Sequence, residues 1–89
     1  MNLEFVKTVQ FTLLIKAGGR IREFNFRQLK KALNLTFSTD VSTERNERIV
    51  FTIENTEEKW RFSPHGLPTW ITENEKLITE SVEMELKNW

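Results

Sequence analysis

Val9-Gln10-Phe11-Thr12-Leu13-Leu14-Ile15-Lys16-Ala17-Gly18-Gly19-Arg20-Ile21-Arg22-Glu23-Phe24-Asn25-Phe26 decides how this chain folds. Two stretches of alternating apolar and polar residues flank a Gly-Gly pair. A two-residue primed turn with φ > 0 at both central positions suits such a pair, because glycine adopts that conformation without a Cβ clash. With Gly18 and Gly19 as the loop, Leu13 faces Phe24 and Phe11 faces Phe26. The large apolar side chains then gather on one face of a hairpin, and a one-residue slip would turn them all to the other.

The same parity argument extends along the chain. Leu35, Phe37 and Val41 share odd numbering with Ile49, Phe51 and Ile53, so both sets face one side only across a loop with an odd count. Glu44-Arg45-Asn46 supplies it, with Asn46 in the left-handed position. The next connection needs an even count, because Trp60 and Phe62 are even. Ile53 opposite Trp60 puts Phe51 opposite Phe62 and Glu54 opposite Lys59, with the turn in Asn55-Thr56-Glu57-Glu58. Pro64 ends that strand by removing a donor. Residues 28–34 read as a loop or a single helical turn, with Phe26 opposite Leu35 across the longer version.

One sheet face this apolar must be covered. Leu67, Ile71, Ile78, Val82, Leu86 and Trp89 recur at helical spacing, which predicts a lid helix. Pro68 suits its first turn, and Thr72 with Glu75 fits a capping box for a later start. Asn74 is the one polar residue in the stripe, and Thr79 falls on the outer face. The expected architecture is α+β: an antiparallel β-meander of four or five strands, about 3–16, 21–28, 34–41, 48–54 and 59–63, in a single domain over 1–89. One long C-terminal helix, about 68–87, packs on a single face.

Thirteen basic and thirteen acidic side chains cancel, so no global field steers the chain toward nucleic acid or an anionic membrane. The balance is uneven: Lys16 to Lys31 carries six basic residues against Glu23 alone, and Leu67 to Trp89 carries five Glu against two Lys. No cysteine is present, which removes disulfides, thiolate metal sites and cysteine nucleophiles. The run from Val9 to Ile15 is broken by Gln10 and Thr12, so it reads as a strand and not as a signal peptide, and nothing approaches the roughly 20 apolar residues of a membrane span. A soluble, cytoplasmic protein is expected.

Few residues here suit catalysis. His65 and Asp40 are the sole His and Asp, and Tyr is absent. Ser63 and His65 with Asp40 upstream invite a triad and hence a small hydrolase, but a triad is recognised by geometry, and His65 reads as a turn residue. No spacing of metal ligands is present, and Gly18-Gly19 lacks the strand-to-helix context of a phosphate loop, so no cofactor is expected. The basic run Lys16, Arg20, Arg22, Arg27, Lys30 and Lys31 is the best nucleic-acid signal, with Lys16, Arg27, Lys30 and Lys31 as the accessory-binder alternative. Arg20 and Arg22 point toward the covered face, however, where their stems snorkel over apolar surface. Trp60 and Trp70 read as core, while Trp89 docks on the sheet or on a partner.

What remains is the uncovered sheet face, mostly hydroxyl, amide and mixed charge as solvated antiparallel sheets are. Thr36 belongs to it by parity. Leu14, Ile21 and Val50 are its apolar members, with Lys16 and Arg27 beside the first two, and these five form the candidate partner surface. The expected role is a non-catalytic protein-interaction or structural module, a monomer or weak homodimer, with a protein partner and not nucleic acid or a membrane. Phe24-Asn25-Phe26, Val50-Phe51-Thr52-Ile53-Glu54 with Trp60-Arg61-Phe62, and Leu67-Pro68-Thr69-Trp70-Ile71 together give a layout that resembles small uncharacterised bacterial domains built of an antiparallel meander and one C-terminal helix. The resemblance implies the fold and carries no activity or functional residue with it.

Overall fold

A computed structural model describes residues 8–30 and 32–89. Five antiparallel strands form one sheet in the order β1-β2-β3-β4-β5: β1 Gln10–Ala17, β2 Arg20–Gln28, β3 Leu35–Ser42, β4 Arg48–Thr56 and β5 Lys59–Ser63. Two helices follow, α1 Thr69–Thr72 and α2 Glu75–Leu86. The expected beginning of β1 near residue 3 lies outside the described residues.

The Gly-Gly turn sets the β1–β2 register as expected. Gly18 and Gly19 sit at φ +65 and +78, and Leu13 pairs with Phe24 and Phe11 with Phe26. Between β3 and β4, Val41 pairs with Ile49, Thr43 N–H donates to Glu47 O at 2.8 Å, and Asn46 takes φ +60, so the loop is the expected three residues.

Two registers differ. Ile53 pairs with Phe62, not Trp60, because Glu57 and Glu58 themselves form the turn at φ +53 and +68. The ladder thereby gains Asn55–Trp60 and Thr56–Lys59, and Glu54 faces Arg61 instead of Lys59. The shift is two residues, so the faces are preserved. Phe26 pairs with Thr39, not Leu35. Leu29 N–H reaches Thr36 O at 2.9 Å, prolonging this hairpin to a short loop, and 28–34 contains no helix among its described residues. Leu35 therefore starts β3 beyond the end of β2 and is exposed, contrary to its expected place in the core. Thr36 is buried despite its parity, with its Oγ1 donating to Asn34 O at 2.9 Å.

The core is otherwise the expected one. Phe24, Phe26, Phe37, Val41, Phe51 and Ile53 from the sheet meet Ile71, Ile78 and Val82 from the helices, with Ile15 and Ala17 at the turn end. Each buried Phe or Ile contributes about 1.5–3 kcal/mol by leaving water.

The single long helix is corrected to two. Asn74 is the joint: its Nδ2 donates to Trp70 O at 2.8 Å, closing α1, while its own carbonyl accepts from Ile78 N–H at 2.9 Å to begin α2. A short amide side chain competes in this way with helical continuation. The capping box is absent, since Thr72 Oγ1 donates to Thr69 O at 3.3 Å. Thr79 is buried on the β5 side of α2 near Trp60 and Phe62, and is not an outer-face residue.

The break aims α1 at the β1–β2 turn, where Arg22 ties the parts together. Its guanidinium lies 3.9 Å over the Trp70 ring, Nε donates to Ala17 O at 2.8 Å, and a terminal nitrogen donates to Glu44 Oε1 at 2.6 Å. Glu44's backbone N–H, and then Arg22, hold its carboxyl below the usual carboxylate range. A depressed folded-state pKa gives stability that is fully present above the unfolded value and lost as pH falls through the folded one. Glu44→Gln is therefore expected to flatten the acid limb of the melting temperature against pH and leave the neutral region nearly level. Superimposable acid limbs for the two proteins would show that the pair carries no linkage.

Candidate interaction surface

Strand alternation sends the Phe and Ile set toward the helices and leaves the other face open. Register then decides which open-face residues meet. Thr12, Asn25, Asp40 and Val50 lie in one row across four strands. Thr12 Oγ1 donates to Asn25 Oδ1 at 2.6 Å, Asn25 Nδ2 donates to Asp40 Oδ1 at 2.9 Å, and Arg48 approaches the same oxygen at 3.5 Å. This polar strip borders a hollow of about 560 Å³ lined by Gln10, Thr12, Asn25, Arg27, Ser38 and Asp40. A second hollow, about 220 Å³, lies between Ile21 and Glu23 on β2 and Ser42 and Arg48 beyond them.

The five expected surface residues do not form one cluster. Leu14 pairs with Glu23 and Ile21 with Lys16, so Leu14 and Ile21 are diagonal neighbours with Lys16 beside them. These two are 72 % and 68 % exposed. Val50, at 60 %, faces Asp40 across the sheet, and the Asn25–Asp40 bond separates it from the other two. Arg27 pairs with Gln10, six ladder positions from Lys16, or about 20 Å at about 3.4 Å per residue. The polar strip is what sequence reasoning missed. Parity had placed Asn25 and Asp40 on this face, but only the β2–β3 register puts them opposite each other.

The remaining candidates are dispersed. His65 is exposed on the connection between β5 and α1, and Asp40 is engaged with Asn25 and Arg48. No group of three or more His, Cys, Asp or Glu suited to a metal occurs among the described residues. Arg22 is buried, Arg20 lies 3.5 Å from Glu44, and Lys31 is outside the described residues. Trp60 Nε1 donates to Glu83 at 2.7 Å, Trp70 lies under Arg22, and the Trp89 ring is 6.3 Å from Phe11 and half exposed, so the three indoles form no common cage.

No family model, no curated protein and no solved structure matches this chain. No helix among the described residues is long and apolar enough to cross a membrane.

Proposed function

We propose that the protein is a non-catalytic cytoplasmic module that binds another protein through the open sheet face. The observation that supports this reading is the exposed pair of aliphatic side chains, Leu14 and Ile21, held side by side on rigid strands. Single exposed aliphatics are ordinary, whereas contiguous apolar surface rimmed by polar residues is the usual mark of a contact, and Leu14 and Ile21 adjoin as the start of such a patch. Lys16 beside them and the Asn25–Asp40–Arg48 strip supply the polar rim. A partner anchored by aliphatic side chains, with acidic groups reaching Lys16, fits this face. Against a nucleic-acid footprint, Arg22 and Arg20 are engaged with Glu44, and Lys16 and Arg27 stand at opposite ends of the hairpin.

The test is Leu14→Thr with Ile21→Thr, since threonine retains strand propensity and both sites are exposed. Thermal melts are expected to stay within a few degrees of the parent. A partner captured by the parent protein, and shown to bind it when both are purified, is expected to be lost by the double variant. An unfolded double variant would mean these residues belong to a core. A folded variant that keeps its partner moves the surface elsewhere, with the acidic helix residues Glu73, Glu80 and Glu83 next. Salt-dependent binding to random RNA by the parent would favour the nucleic-acid reading instead.

A further inference from the structure

The sheet ends on two unlike edges. β5 is five residues long, carries Lys59 and Arg61, and runs into Pro64. Short length, charge and proline are the ordinary means of keeping an edge from pairing. β1 is eight residues long, with no proline, and Lys16 is its sole charge. Its hydrogen-bond phase is fixed by Gln28 N–H donating to Val9 O at 2.9 Å, which assigns the odd residues of β1 to the ladder with β2. Gln10, Thr12, Leu14 and Lys16 therefore turn their N–H and C=O groups to the open edge, where among the described residues no backbone group meets them.

A second feature lies on the same side. α2 lies over β1, and one flank of it, with Thr79 and Glu83, faces Trp60 on β5. At 100° per residue the opposite shoulder presents Leu77, Ser81 and Met84, spaced i, i+4, i+7. No charge interrupts that stripe. Leu77 is 43 % exposed and Met84 69 %, although most of α2's remaining outer surface is charged.

We infer that the β1 edge and this stripe take a second copy of the chain, in a two-fold dimer with β1 antiparallel to its counterpart and the two α2 helices side by side above it. The edge is complementary to itself, because antiparallel pairing of identical strands matches each outward donor with an acceptor. Core face must meet core face, which admits only registers that pair odd residues with odd. The one pairing the whole of Val9 to Ala17 places Leu13 opposite Leu13 of the partner subunit. It sets Phe11 against the partner's Ile15, and Lys16 against the partner's neutral Gln10, so no like charges stand opposite. A strand pair alone is small beside the roughly 1,000 Å² of a specific interface, and the helix stripe adds exposed apolar surface to it.

The proposal goes beyond the functional reading above, because a protein that stays monomeric and still loses its partner on the Leu14→Thr, Ile21→Thr change keeps that reading and loses this one. Sedimentation of the parent protein up to millimolar concentration is expected to show a dimer. Leu14→Pro removes an outward N–H without touching the β1–β2 ladder, and Met84→Glu places a charge in the stripe. Each is expected to give a folded monomer. If Leu14→Pro fails to fold, Leu14→Lys takes its place, since the register brings the two new charges diagonally together. In a mixed-isotope sample, a contact between Phe11 Hα of one copy and Ile15 Hα of the other is expected. A parent that remains monomeric, a dimer surviving either folded variant, or the absence of that contact in a dimer overturns the proposal.

Discussion

Replacing Ile78 with alanine is expected to cost about 2–4 kcal/mol of folding stability, the range for truncating a large side chain in a close-packed core. Ile78 is fully buried beneath α2 and shares the core with Phe24, Phe26, Phe37 and Ile53. The loss combines the transfer of removed methyl groups with the cavity left behind, which a sheet held by four ladders cannot collapse to fill. Against a total of about 5–15 kcal/mol for a small domain this is severe, and at about 4–8 °C per kcal/mol the melting temperature falls by about 8–32 °C. Glu80→Ala, on the exposed side of the same helix, is expected to stay within about 0.5 kcal/mol. Denaturant melts of the two variants with equal losses would show that α2 does not cover the sheet.

Gly18→Ala is expected to lose about 2–5 kcal/mol, and Gly19→Ala only about 1–2. Both glycines have positive φ, where a side chain costs about 1–2 kcal/mol. The difference is space. A Cβ on Gly18 would stand 2.8 Å from the Trp70 Cβ and 3.1 Å from an Arg22 nitrogen, whereas nothing lies within 4 Å of one on Gly19. Gly18→Ala must therefore push α1 away from the hairpin, adding a repacking cost of about 1–3 kcal/mol. Trp70 fluorescence is expected to change in the Gly18 variant alone. Equal losses and an unchanged Trp70 signal in both would mean that α1 does not rest on the turn.

The meander was legible wherever the chemistry of a turn allowed one solution. Gly18-Gly19 fixed the first register because two positive φ angles in a row are cheap only for glycine, and Asn46 closed the third hairpin for a similar reason. Glu57 and Glu58 hold the same kind of turn without residues that announce it, and the β4–β5 register was accordingly two positions off. The split at Asn74 was hidden because Ile71, Ile78 and Val82 keep helical spacing across the joint, so periodicity alone reports one helix. On the open face, parity identified the exposed aliphatics correctly. It could not say that Leu14 and Ile21 adjoin while Val50 stands apart, because that depends on registers set by loops. Arg22 read as a side chain trailing over the edge of the core, and its role depends on Trp70, whose approach needs the kink at Asn74.

The Arg22–Trp70 contact also bears on the order in which the molecule assembles. Every ladder joins strands adjacent in sequence, so the sheet closes only short loops and incurs little entropy loss in forming. Among the described residues, docking of α1 and α2 is the closure that brings the C-terminal segment back to β1 and its turn. A sheet formed before that closure would show water a continuous row of phenylalanines on one side and a bare β1 edge beside it, the combination from which aggregates grow. By holding α1 against the first hairpin, Arg22 and Trp70 favour the closed arrangement over any local opening that would bare this surface.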